Sequence, residues 1–395
     1  MSVSLKRQLK KHMQHQYTMH GWHLSYFSGK LRAYLRYKGL DFEDKAMTAY
    51  DLQVRGAKKT GAVVMPILQT DQDEWLQDTT NIIQTLEQRH PQNPVIPASP
   101  KQKIASQLIE AWADEWWIPV AMHYRWSYPE NYELFEHDAA QALLPWAPRF
   151  VSNKLVHKIA TRLRSYLPGV GVREEQLSTI EQWTEAMLDA LNMHFFKHPF
   201  LLGNKPCVGD FALVGPLYGH LNRDPMPKKT LMDPRPHVQA WVDRVHGSEL
   251  IYVKPEPGAY LADDEIPESL TPVFESIFKE FYPMVNAIVE KVEKHVKTHD
   301  AKAGDKLPRV LNEISFPMAG KTCQRNAMPY TLWMLQGVKD TYLSFDEKEK
   351  QTVDEWLAQY KTNQRIPSEG WDPVSLNSID LGPKLERLAL GTKLA

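Results

Sequence analysis

At 395 residues the chain is long enough for two or three domains of roughly 150 residues each. Its 43% hydrophobic and 24% charged residues suit a globular protein with a sizeable core. A net charge of −1 argues against a nucleic-acid-coating protein, and no apolar run approaches the roughly 18 residues of a membrane span. Two cysteines, Cys207 and Cys323, exclude a disulfide framework and any cysteine-rich metal site, which fits a reducing, cytoplasmic setting. Charge is unevenly spread: residues 1–40 hold no Asp or Glu but eight Lys/Arg, including Lys30, Arg32, Arg36 and Lys38. A basic, acid-poor start could be an organelle transit peptide, but sparse Ser and arginines mostly further in make that the lesser reading.

Residues 1–16 read as a basic arm. Tyr17 to Trp22 is a candidate strand, and from Ser28 the spacing of Leu31, Tyr34 and Leu35 predicts a helix stopped by Gly39. Asp41 to Met47 fits a second strand, giving a βαβ start. The apolar run Ala62–Leu68 is interrupted by Pro66. A proline there belongs at a strand end or in a special turn, often as a cis bond. Asp71 to Trp75 make a turn, and Asp78-Thr79 supply a capping start for a helix that turns Ile82, Ile83 and Leu86 inward.

Four prolines in residues 90–100 allow no regular element and mark a linker. Helical periodicity then covers 102–125, 134–143, 152–166, 174–196, 208–222 and 235–246. A second linker is expected at 251–267, a long amphipathic helix at 268–298 bent at Pro283, and further helices at 328–344 and 346–361. Phe274, Ile277, Phe278, Phe281, Val285, Ile288 and Val292 form a core stripe on the long helix. Met318 to Arg325 superficially suggests a phosphate loop but lacks its leading glycine and spacing. The predicted divisions are therefore 1–16, 17–90, 91–100, 101–250 and 251–395.

Four segments, taken together and in this order, resemble cytosolic glutathione transferases. Ser25-Tyr26-Phe27-Ser28-Gly29-Lys30-Leu31-Arg32 is similar to the stretch that opens that family's first helix. Val64-Met65-Pro66-Ile67-Leu68 resembles its cis-proline segment, and Leu76 to Glu87 its next helix start. Leu202 to Ala212, with Cys207 and Asp210 in a capping-box arrangement, resembles an element of its helical domain. The resemblance covers about residues 17–250. It implies an α/β thioredoxin-like N-terminal domain, an all-α C-terminal domain, and an additional, mainly helical extension over 251–395.

The resemblance also implies a chemistry. A helix N-terminus stabilises an anion through free N–H groups and partial positive charge. A hydroxyl placed there can donate to a bound thiolate. Ser25 stands where serine-type members carry that hydroxyl, with Tyr26 and Ser28 as alternatives; Ser25 can equally be a plain helix cap. Serine in place of cysteine excludes thiol–disulfide exchange at this site. Met65, before Pro66, would meet the cysteinyl part of glutathione through its backbone. Thr79 would take the γ-glutamyl carboxylate and Asp78 its ammonium, a departure from the family's usual Glu/Gln-Ser. Arg55, Lys58 or Lys59 would supply a cation for the glycyl carboxylate. The electrophile's pocket is expected from Trp116, Tyr124 and Arg125, among the aromatics of the first long helix.

The implied protein is a cytoplasmic, homodimeric detoxification enzyme that uses glutathione as co-substrate against a small, mostly apolar electrophile. It needs no metal, nucleic acid or membrane. The alternatives are a glutathione-dependent lyase or isomerase, or a non-catalytic binding or assembly module, which the long extension favours. The extension is expected to pack on the helical domain and to cover the cleft or alter the dimer, with Lys321 and Arg325 as candidates to face the active-site mouth. The basic residues of the first helix are expected to attract one small anion.

Overall fold

The computed structural model describes residues 15–247, 258–360, 376–377, 379–388 and 391–395. The expected arm at 1–16 lies almost wholly outside the described residues, as do the first part of the 251–267 linker and position 361. Strand β1 (Tyr17–Gly21) is followed by α1 (Tyr26–Tyr37), β2 (Phe42–Ala46) and a π-helical turn, Asp51–Gly56, that runs into α2 (Ala57–Thr60). Strands β3 (Ile67–Thr70) and β4 (Trp75–Gln77) and helix α3 (Thr79–Arg89) complete the unit. The sheet order is β2-β1-β3-β4, with β1 parallel to β2 and antiparallel to β3. Met19 lies opposite Leu68 in this register and both are fully buried. This is the expected thioredoxin-like domain.

The helical domain follows: α4 (Pro100–Trp116), α5 (Ile118–Trp126), α6 (Pro129–Leu143), α7 (Arg149–Arg164), α8 (Leu177–Lys197), α9 (Val208–Pro216) and α10 (Pro236–His246). The expected single helix over 102–125 is two helices because Pro119, in the first turn of α5, cannot continue the hydrogen-bond ladder of α4. Close packing joins the two domains. A Cβ on Gly215 of α9 would stand 3.0 Å from Tyr26 on α1, so a side chain there would have to push the two helices apart by a few tenths of an ångström.

The extension is helical and β. After α11 (Thr271–Ser276), a wide π turn (Ile277–Phe281) leads into α12 (Tyr282–His299). The expected continuous helix over 268–298 thus changes its winding just before Pro283, whose missing N–H is tolerated in the first turn of α12. The segment considered as a phosphate loop is a hairpin, β5 (Glu313–Met318) and β6 (Lys321–Asn326), turned by Ala319 and Gly320 at positive φ. Helices α13 (Pro329–Leu343) and α14 (Glu347–Ala358) precede a second hairpin, β7 (Leu385–Arg387) and β8 (Thr392–Leu394).

These parts share one hydrophobic core. Trp112, Trp116, Trp117 and Trp183 pack edge to face, and Phe281 and Phe316 of the extension close the cluster against Trp116 at 6.2 and 5.4 Å between ring centres. Glu280 binds the Trp183 indole N–H at 2.7 Å and the Ala319 backbone N–H at 2.8 Å, tying helical domain to hairpin. The first helix's basic residues are not free to attract an anion. Arg32 pairs with Asp44 at 2.5 Å, Lys38 with Glu87 at 2.9 Å, and Lys30 is wholly buried between two acids.

Truncation at residue 250 is therefore expected to expose the faces of α4 that α13 and α14 cover. The product should aggregate on size-exclusion chromatography and lose its near-ultraviolet circular dichroism; a monodisperse, cooperatively unfolding fragment would contradict a shared core. A pH dependence also follows. Burial and then His198 push His194 down to about 3, and burial and then Arg36 push His246 down to about 2. In the unfolded chain both protonate near the ordinary histidine value of about 6.5. The unfolded state therefore binds more protons below that pH, and stability falls as pH drops from about 6.5. Each histidine contributes up to about 1.4 kcal/mol per pH unit, and His194→Gln should flatten the slope of denaturation free energy against pH.

Candidate functional site

The start of α1 is held from behind. Arg125 on α5 is buried and pairs with Asp224 through Nε at 2.9 Å and Nη2 at 3.1 Å. Its Nη1 donates to the Leu24 carbonyl at 2.6 Å and Nη2 to the Gly219 carbonyl. A guanidinium can serve these acceptors at once because its donors form a rigid fork. The turn before α1 is thereby fixed. Ser25 is the cap, in extended conformation, and its Oγ accepts the Ser28 N–H at 3.3 Å. That leaves the Ser25 proton without an acceptor among the described residues.

A cis bond joins Met65 to Pro66. The backbone N–H and C=O of Met65 make no hydrogen bond among the described residues. Asp78 caps α3 from φ 72°, its Oδ1 accepting the Asn81 N–H at 3.2 Å. The other oxygen, Oδ2, accepts the Tyr330 hydroxyl at 2.9 Å and Arg387 Nε at 3.0 Å. Both of these partners come from the extension.

Met65, Pro66, Asp78 and Thr79 line one cavity of about 320 Å³, together with Phe27, Val63, Val64, Gln77 and Ile118. Glu115, Arg309, Met328, Tyr330, Arg387 and Gly391 complete its wall. Glu115 accepts the Thr331 hydroxyl at 2.5 Å, and burial, outweighing that bond and the Arg325 charge, raises its pKa above the usual carboxylate range. Arg309 is exposed and has no ion-pair partner among the described residues. The cavity therefore offers an apolar side near Phe27 and Ile118, and a charged side with the Arg309 and Arg387 guanidinium donors.

The structure thus brings together four of the residues singled out from sequence. Ser25 stands at the helix start two positions before Phe27 and is not itself part of the lining. Ser28 is fully buried, its Oγ accepting the Trp22 N–H at 3.3 Å. Tyr26 is also buried and spends its hydroxyl on the Ala113 carbonyl. Lys59 pairs with Asp73 at 2.7 Å and Arg55 with Asp51 at 2.5 Å, both away from the cavity. Trp116 and Tyr124 are buried core residues and Arg125 is the staple described above, so none of the three lines it. Lys321 is exposed on β6, whereas Arg325 is buried and donates to the Glu115 carbonyl at 3.2 Å. Arg309, Glu115, Tyr330 and Arg387 were not singled out. Three of them sit in the extension, where a lone arginine in a three-residue strand leaves no periodic or motif signal.

Residues 19–94 match the glutathione S-transferase N-terminal domain, and residues 173–244 the glutathione S-transferase C-terminal domain. These two stretches carry the N- and C-terminal domains of the glutathione S-transferase superfamily. Residues of the chain after 244 lie beyond both matches. No curated protein matches its sequence. Among solved structures it is similar to the beta-etherase LigF from Sphingobium sp. strain SYK-6, at 19% identity and a TM-score of 0.42 over 58% of this chain and 94% of that one. It is similar to a glutathione S-transferase from Methylobacterium radiotolerans in complex with glutathione sulfonate, at 20% identity and 0.38, over 64% and 99% of the two chains. FzlA from C. crescentus is 15% identical with a TM-score of 0.38, over 58% and 87%. Likeness of this size says nothing about activity.

The Arg125–Asp224 pair gives a direct test of the staple. Arg125→Met leaves Asp224 buried without a counter-charge and should cost about 3–5 kcal/mol in chemical denaturation. Adding Asp224→Leu should recover a large part of that loss, whereas additive losses would argue against the pairing.

Proposed function

We propose that the cavity binds glutathione and that Ser25 donates its hydroxyl proton in a hydrogen bond to the cysteinyl sulfur, holding it as a thiolate for attack on a small, mostly apolar electrophile. The observation that carries this reading is the convergence of Met65, Pro66, Asp78 and Thr79 on one cavity beside the start of α1. In this reading the backbone of Met65, free of other partners, pairs with the cysteinyl residue as an added strand. The Thr79 hydroxyl and the first N–H groups of α3 receive the γ-glutamyl carboxylate. A free thiol has a pKa near 8.5, which a helix N-terminus lowers. Ser25 accepts the Ser28 N–H and no acceptor takes its own proton among the described residues, which leaves that proton free for a thiolate.

The enzyme reading is tested by glutathione binding and ultraviolet thiolate absorbance in wild type and Ser25→Ala. The variant should bind glutathione, lose the thiolate signal and slow conjugation by about 10²–10³. Absence of glutathione binding by the wild type would sink the proposal. One observation favours a second reading, a non-catalytic binding module: the Asp78 carboxylate is already engaged by Tyr330 and Arg387. Binding without a thiolate signal in the wild type would select it.

A further inference from the structure

On the glutathione reading Asp78 would take the ligand's ammonium, yet its carboxylate already accepts three hydrogen bonds. Oδ1 holds the Asn81 N–H, and Oδ2 holds the Tyr330 hydroxyl and Arg387 Nε. The Asp78 side chain is only 4% exposed and that of Arg387 16%, so the pair is largely removed from water, where a second cation beside it is poorly screened. Of the two acids on the wall, Asp78 is neutralised by Arg387 and Glu115 is held in part by Thr331. Arg309 adds a further positive charge.

Arg387 is not a loose arm. Its Nη1 donates to the Leu388 and Gly391 carbonyls at 2.5 and 2.8 Å. Its guanidinium lies 4.6 Å from the centre of the Tyr330 ring and 6.0 Å from that of Trp333. Strand β7 is anchored in turn, with the Leu385 N–H on Gln336 Oε1 at 2.9 Å and Gln336 Nε2 on the Pro383 carbonyl at 2.8 Å. These ties make Arg387 a fixed wall of the cavity, and a bound ammonium would have to break them to reach Asp78.

We infer that Arg387 is a specificity-determining residue: it occupies the ammonium's place on Asp78, so that the cavity binds glutathione but prefers a thiol tripeptide of the same shape whose acyl end carries the carboxylate and no free amine. The inference rests on the glutathione reading above and narrows it. The carboxylate of such a ligand still finds Thr79 and the start of α3, and Arg387 and Arg309 add to its attraction. What the site disfavours is the second positive charge. Discrimination of this kind is strong because a wrong ligand leaves a buried charged group without its partner.

The test compares glutathione with its des-amino analogue, glutaryl-cysteinyl-glycine, by calorimetric titration of the full chain. The wild type should bind the des-amino tripeptide at least about tenfold more tightly. Arg387→Gln, which frees Asp78, should reverse that order. A wild type that binds glutathione as tightly as the analogue, or better, overturns the inference while leaving the glutathione reading standing. So does an Arg387→Gln protein, folded by circular dichroism, whose preference is unchanged. Failure of the wild type to bind glutathione at all removes the glutathione reading and the inference with it. The wild-type comparison needs no variant, so it decides the question even where Arg387→Gln fails to fold.

Discussion

A single buried ammonium sets the geometry on which the candidate site depends. Lys30 Nζ, with its side chain fully buried, donates to Glu110 at 2.7 Å, Asp114 at 2.6 Å and Thr80 at 3.3 Å. Lys30 lies on α1, Thr80 on α3, and the two acids on α4. The helices that begin at Ser25 and at Thr79 are thereby tied to each other and to the helical domain. Burial alone would make the ammonium easier to deprotonate, but Asp114 and Glu110 outweigh it and hold the charge. With two acids on one lysine, burial keeps the Asp114 pKa above the usual carboxylate range. A buried cluster of this kind contributes less to net stability than to uniqueness: removing one member strands the others, at about 3–5 kcal/mol.

The same economy recurs around the site. Arg125 and Asp224 fix the turn before α1, and Asp210 receives the Cys207, Leu201 and Trp241 N–H groups at the start of α9. Each is a buried charge with at least one partner from a distant segment. Rigidity of this sort suits a site whose work is to hold a small ligand in one orientation, since binding then wastes little entropy on ordering the protein. The extension takes part on equal terms, through the aromatic cluster around Trp116 and through Glu280, and is as much core as the two domains it follows.

The two domains are legible because their signals are local. Pro66, the Asp78-Thr79 cap and the proline-dense linker each act on their own neighbourhood, and the helical period of the middle region repeats over many turns. Four cavity residues follow from the same local motifs. The aromatics of the first long helix mislead, because Trp116 reads as pocket or core until Phe281 and Phe316 of the extension are known, and Tyr124 until Tyr128 is seen stacked on it. Arg125 misleads for a related reason: a lone arginine on an apolar helix gives no hint that Asp224 and two carbonyls await it. Lys30 reads as an exposed attractor, since the two acids that bury it lie about eighty positions away. The hairpins and Arg387 are invisible because short strands owe their existence to packing rather than to pattern.

The bond between Arg387 and Asp78 joins residues 309 positions apart, and that between Tyr330 and Asp78 residues 252 apart. Long-separated contacts form late, because the chain between them must first be ordered. The cavity is thus complete only when nearly the whole polypeptide has been assembled, even though most of its motifs lie within the first eighty residues. A ligand that recognises the finished wall would act as a probe of global integrity, and by mass action it would stabilise the distant hairpin as much as the domain that carries the motifs.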